Sequence, residues 1–170
     1  PGFGKTLFNF VHPLFRNVPQ TRMRLIKAAC LLHDVSWRAH PDYRAEVCFE
    51  TATRANLGGL KHSERVFLGM ALLHRYRNKR EGTSFADLYD MVDPRNQHQA
   101  EVLGKAMRFG AMLLMDENTK IGELDWRPKK KHLTLKLSKE TTPLYGEVAE
   151  ARLMSLAQAL EAEVTVKLAK

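Results

Sequence analysis

Only two cysteines, Cys30 and Cys48, occur in the 170 residues, and they are not spaced as a Cys-x-x-Cys pair. A disulfide scaffold and a thiolate zinc knuckle are thereby excluded, and the reading that remains is two buried thiols in a reducing compartment. No apolar run is long enough to span a bilayer. The opening Pro1-Gly-Phe-Gly-Lys-Thr-Leu7 lacks the basic-then-apolar pattern of a signal peptide, so a cytoplasmic protein without a membrane partner is expected. The initiator Met is missing too, which points to a piece of a longer protein. Walker loop, dinucleotide fingerprint and nucleophile elbow are all absent. Aromatic residues make up only 8% of the chain, and Trp126 is the only one on the expected strands. That speaks against a nucleic-acid module built on base stacking.

Positive charge is what the chain has in excess. Twenty-seven Lys and Arg face 19 Asp and Glu, a formal net charge of +8, with a pI near 9.7. Such a surface favours polyanions, whether nucleic acid, polyphosphate or phosphorylated small molecules, unless the cations merely solvate the fold. A hydrophobic share of 44% suits an ordered globular protein with one domain or a domain plus an appendage.

Apolar residues recur at helical spacing from about Leu7 to Met115. Leu25, Ile26, Ala29 and Leu32 mark one helix, and Pro41-Asp42 opens a second that runs to Asn56 and closes at Gly58-Gly59. Ser63 is the expected cap of a third helix, where Val66, Phe67, Met70 and Leu73 form the apolar stripe and basic residues load the C-terminal end. Thr83 or Ser84 starts a short helix ending before Pro94, and Gln97 to Met115 forms a long one. After Asp116 the period falls to two. Leu133, Leu135 and Leu137 alternate with polar residues as a half-buried strand, and Ile121 to Arg127 reads as its hairpin partner. A helix from Tyr145 to Leu160, with Val148, Leu153, Leu156 and Leu160 inward, precedes a strand over 163–168. The expected fold is mostly α: a helical domain over 1–118, then a small α+β subdomain over 119–170, ordered strand, strand, helix, strand.

Chemistry centres on the adjacent pair His33-Asp34 at the end of an apolar helical run. Imidazole and carboxylate there are candidate ligands for a divalent metal such as Mn2+ or Fe, with His12 upstream and His62, His74, Asp87, Asp90 and Asp116 downstream as possible partners. The alternative is a structural pair. His40 before Pro41 reads as a helix-entry residue, and His132 is expected to face solvent. Basic residues form the stronger constellation: Arg38 and Arg44 flank the His-Asp loop, His62 and Arg65 begin the next helix, and Arg75, Arg77, Lys79 and Arg80 end it. Arginine forks match phosphate oxygens, so these residues suit phosphate binding without catalysis. Lys129-Lys130-Lys131 reads as a protected hairpin turn or a polyanion contact.

His33-Asp34 on a helix resembles the signature pair of the HD phosphohydrolase superfamily, although Ser36 stands where those enzymes usually continue with Gly. The longer run Lys27-Ala-Ala-Cys-Leu-Leu-His-Asp-Val-Ser-Trp-Arg-Ala-His-Pro-Asp-Tyr-Arg-Ala-Glu46 looks like the C-terminal region of exopolyphosphatases of the Ppx/GppA family. Gly59-Leu-Lys-His-Ser-Glu-Arg65, Leu72-Leu-His-Arg-Tyr76, Lys105-Ala-Met-Arg-Phe-Gly-Ala-Met-Leu-Leu114 and Leu144-Tyr-Gly-Glu-Val-Ala-Glu-Ala-Arg152 extend the likeness over nearly the whole chain, which looks closest to alphaproteobacterial members. The resemblance implies an HD-like helical domain that grips polyphosphate and supplies homodimer contacts. It also implies catalysis by magnesium-dependent actin-like domains that this chain does not contain. No residue of the chain is then catalytic. Arg38, Arg44, His62, Arg65, Arg75 and Arg77 become the expected polyphosphate-binding set, and His33-Asp34 a relic. The full parent would release orthophosphate from polyphosphate or the 5′ phosphate from guanosine pentaphosphate. A self-contained HD-type phosphohydrolase and a basic nucleic-acid-binding module are the rival readings.

Overall fold

A computed structural model describes residues 2–33, 60–76, 92–114 and 120–169. Five helices and a three-stranded sheet are built from them: α1 (Gly2–Val11), α2 (Gln20–Leu32), α3 (His62–Tyr76), α4 (Pro94–Ala111), β1 (Gly122–Arg127), β2 (His132–Leu137), α5 (Glu147–Leu160) and β3 (Glu163–Leu168). The helices expected over Pro41–Asn56 and after Thr83 or Ser84 lie outside the described residues, as do Asp34 and Cys48.

Two of the helices start where a backbone donor finds a side-chain acceptor. At α4 the Asp93 carboxylate accepts from the Asn96 backbone N–H at 2.9 Å, and Pro94 takes the first helical position, where a missing N–H costs nothing. The helix therefore begins three residues before the expected Gln97. At α3 the side chain of Glu64 reaches back to the Lys61 N–H at 3.0 Å, one half of a capping box, so Glu64 rather than Ser63 secures that end. α1 starts at Gly2, ahead of the expected Leu7, with Gly4, Leu7, Phe10 and Val11 forming its buried face.

The centre of the molecule is α3. Every residue from Val66 to His74 is buried, not only the expected stripe, because a helix wrapped on all sides has no solvent face to keep polar. It crosses α4 at Gly104. A Cβ there would lie 2.3 Å from the His74 Cβ and 2.5 Å from the Ala71 carbonyl oxygen, so only glycine permits this approach.

The sheet has the order β1-β2-β3. β1 and β2 pair antiparallel, with Trp126 opposite Leu133, and β2 and β3 pair parallel through the α5 crossover. Leu133, Leu135 and Leu137 are fully buried or nearly so, as their alternation predicts, each stabilising the fold by about 2 kcal/mol. Gly122, at φ +132° and with the Lys136 carbonyl oxygen 2.2 Å from where a Cβ would stand, can only be glycine. Residues of the helices and of the sheet belong to one hydrophobic core.

Several expectations need correction. α5 starts at Glu147, not Tyr145, because Thr142–Leu144 forms a separate 3-10 turn. Val148 is 59% exposed and Ala149 takes the inward position instead. His132 does not face solvent freely: it is half-buried and hydrogen-bonded to Thr165 Oγ1 at 2.8 Å across the parallel pair.

Two outcomes follow. Gly104→Ala should destabilise the chain by about 1–3 kcal/mol in urea melts, since overpacking against backbone outweighs the roughly 1 kcal/mol gain in helix propensity. A wild-type midpoint would contradict the packing. Burial pushes the Cys30 thiol up to about 12, so no thiolate forms near neutrality. In Cys48→Ser protein, iodoacetamide at about pH 8 should modify Cys30 only after denaturant is added; rapid native labelling would show the thiol accessible.

Candidate phosphate-binding site

Helices α2, α3 and α4 run side by side in the same sense. Near their starts, the Arg22 guanidinium stands 3.8 Å over the Phe67 ring and donates to Asn96 Oδ1 at 3.1 Å. Burial holds the Arg22 pKa below its ordinary value, against the opposing charges of Glu64 and Asp93. At the other end the C-termini converge. Each is held by a side chain from the next described helix: the Tyr76 hydroxyl donates to the His33 carbonyl, and Arg108 Nη1 donates to the carbonyls of Tyr76 at 3.0 Å and Arg75 at 3.4 Å. From α5, Arg152 Nη1 donates to the Arg108 carbonyl at 3.3 Å. Carbonyls that a helix leaves unpaired at its end, together with the negative pole of its dipole, call for such donors.

Because three helices end together, their basic residues gather too. Arg75 lies 4.5 Å over the Tyr76 ring. Burial lowers the pKa of Arg108, and Arg152 is lowered first by burial and then by the charges of Arg108 and Arg75. Mutual repulsion therefore persists among these cations despite the helix ends beneath them. Lys105 is nine-tenths buried and paired with Glu101 at 2.9 Å. Burial pulls the Glu101 carboxyl up, but the hydrogen bond and charge of Lys105, aided by His74 and His98, leave it below the usual carboxylate range.

The structure brings together some of the expected residues and separates others. His33 and Arg75 line one pocket of about 330 Å3 with Phe3, Gly4, Leu31, Ala111 and Leu114. His62 and Arg65 sit in the first turn of α3 and Arg75 in its last, about 15 Å away along the axis at 1.5 Å per residue. The expected basic cluster is thus two groups. Arg65 is half-buried with an Nε that has no hydrogen-bond partner among the described residues, and His62 is exposed. Arg38, Arg44 and Arg77 lie outside the described residues.

Asp34 and the candidate metal partners Asp87, Asp90 and Asp116 lie outside them as well. Among the described residues no three His, Cys, Asp or Glu side chains gather as a metal set. His12 donates from Nδ1 to the Asn9 carbonyl at 3.0 Å and stacks on Phe8, while His74 is buried at the Gly104 crossing. His98 donates through Nε2 to the Ala159 carbonyl at 2.6 Å, securing the end of α5 as Arg108 secures α3.

Sequence reading missed Arg108 and Arg152 as site residues. The signal was present: Arg108 interrupts Ala106-Met-Arg-Phe-Gly-Ala-Met-Leu-Leu114, where a charge inside an apolar run implies a partly buried guanidinium with a fixed partner. What could not be read is that the ends of α3 and α4 meet.

Among the described residues no helix is long and apolar enough to cross a membrane. No curated protein matches the chain. One family model does, described as the C-terminal part of exopolyphosphatase, over residues 16–166. That span takes in all the helices but α1, the whole three-stranded sheet but for its last residues, and every basic residue described above except those before position 16; the chain belongs to the exopolyphosphatase C-terminal domain family.

Proposed function

We infer that this chain is the polyphosphate-binding C-terminal part of a cytoplasmic exopolyphosphatase of the alphaproteobacterial type, with catalysis carried by magnesium-dependent actin-like domains that the chain does not contain. The parent would hydrolyse terminal phosphoanhydride bonds of polyphosphate or guanosine pentaphosphate. The family match over residues 16–166 carries this reading.

The charge distribution supports it. An inorganic polyphosphate offers one anionic charge per phosphoryl unit along a flexible chain, with no base to stack and no sequence to read. A protein binds such a ligand by summed attraction to spaced cations. The chain carries a net +8, and α3 presents Arg65 with His62 at one end and Arg75 at the other, a spacing suited to an extended polyanion. Arg38, Arg44 and Arg77 complete the set assigned to the ligand. His33-Asp34 is a mark of HD-like ancestry in this reading, its histidine lining the Arg75 pocket. Homodimer contacts belong to it too, and the exposed Leu144 and Val148 give the start of α5 an apolar surface for a second copy.

The purified chain should bind long-chain polyphosphate and release no phosphate from it with magnesium present. Affinity should fall on the order of 10²- to 10³-fold between about 50 and 200 mM salt, as expected when several cations displace condensed counterions. Arg75→Ala and Arg65→Ala should each weaken binding by about fivefold to tenfold, roughly the loss of one charge-assisted contact. Absence of binding at low salt contradicts the reading. Magnesium- or manganese-dependent hydrolysis abolished by His33→Ala would replace it with the self-contained HD enzyme.

A further inference from the structure

A second pocket, of about 230 Å3, opens between α4 and α5 and is lined by Lys105, Arg108, Val148, Ala151, Arg152 and Ser155. Three of those six residues are cations. The only carboxylate paired with any of them among the described residues is Glu101, on Lys105, which leaves two positive charges over.

Arg108 and Arg152 are held in place by carbonyls rather than by acids. Each guanidinium carries five N–H donors, and among the described residues Nη1 is the engaged atom in both, Arg108 on the carbonyls of Arg75 and Tyr76 and Arg152 on the carbonyl of Arg108. Among the described residues the rest of each fork has no partner to compete with a ligand, and each head is fixed before any ligand arrives, which lowers the ordering cost of binding. Helix ends offset part of the charge. A helix terminus contributes at most about half an elementary charge, confined to its last turn, so the ends of α3 and α4 leave about one positive charge uncompensated. The lowered pKa of Arg152, caused after burial by Arg108 and Arg75, reports the same residual repulsion.

We propose that the pocket formed by Lys105, Arg108, Arg152 and Ser155 is a binding subsite for a phosphate-type oxyanion, taken either as a free anion or as one or two units of a polyphosphate chain. Its size is below the roughly 300–1,000 Å3 of pockets for drug-sized ligands, which suits a compact tetrahedral group. Two forked guanidiniums match oxyanion geometry, and Lys105, its charge shared with Glu101, adds ammonium donors to the lining. Val148 and Ala151 complete the lining on the α5 side. None of these residues belongs to the set assigned to polyphosphate above, so the subsite stands or falls separately from that reading.

The test is titration of the 170-residue chain with inorganic pyrophosphate, orthophosphate and long-chain polyphosphate, followed by calorimetry and by the Nε–Hε resonances of arginine. Pyrophosphate should shift the Arg108 and Arg152 resonances in the wild-type protein, which needs no substitution and no concern for folding. Its affinity should fall at least tenfold in Arg152→Gln, fall less in Arg152→Lys, and stay within twofold of wild type in Lys139→Gln, an exposed turn control. Equal affinity in Arg152→Gln and Lys139→Gln, or unmoved arginine resonances at saturation, overturns the proposal. Long polyphosphate binding that ignores Arg152→Gln while pyrophosphate binding is lost assigns the subsite to the free anion; a parallel loss of both assigns it to the chain. Pyrophosphate binding without any binding of the long chain would leave this subsite standing and remove the polyphosphate reading.

Discussion

One guanidinium, that of Arg108, holds the two terminal carbonyls of α3 from the neighbouring α4. The arrangement exists because α2, α3 and α4 point the same way, which crowds their unpaired carbonyls and negative poles into one region. Antiparallel neighbours would set opposite poles side by side and spread those carbonyls over both ends of the bundle. Here the electrostatic problem is met by side chains, Tyr76 on α2, Arg108 on α3 and Arg152 on α4, and the result is a concentration of cations on one side of the molecule. The basic surface is thus a consequence of how the helix ends are satisfied.

Packing fixes that arrangement. α3 is buried through nine consecutive residues from Val66 to His74, and Gly104 lets α4 approach its backbone. The approach sets the axial register of the two helices, and with it the position of Arg108 one turn further along, opposite Tyr76. Phe10 and Phe109, with ring centroids 6.1 Å apart, anchor α1 on the same end of α4. At the far end Arg22, stacked on Phe67 and bonded to Asn96, pins the start of the bundle. α5 runs opposite to α4, with Arg152 in its first half reaching the last turn of α4 and the Ala159 carbonyl at its end on His98 near the start of α4, and so closes the second pocket.

Much of this was legible beforehand. The two-residue alternation of Leu133, Leu135 and Leu137 announced β2 correctly, since only one face of a small sheet reaches the core, and the order strand, strand, helix, strand was readable from the change of period. Exact helix starts were not, because Asp93-Pro94 and Glu64 compete with equally plausible caps nearby. Val148 misled because it stands one position off the register of Ala149, Leu153, Leu156 and Leu160, so it turns away from the core while Ala149 faces it. For the site, sequence proximity grouped His62, Arg65 and Arg75 on one helix, yet the length of α3 parts them. Arg108 and Arg152, forty-four residues apart, meet only through tertiary packing. No periodicity within either helix encodes that meeting.

Convergent helix ends, on this account, make the basic surface that receives phosphate polyanions. Hydrogen–deuterium exchange on the chain with and without long-chain polyphosphate tests it most directly. Amides in the last turns of α3 and α4, over 72–76 and 105–112, should slow when the ligand is bound, while those in β1 and β2 stay unchanged. Protection confined to the sheet, or none at those helix ends at saturating ligand, would contradict it.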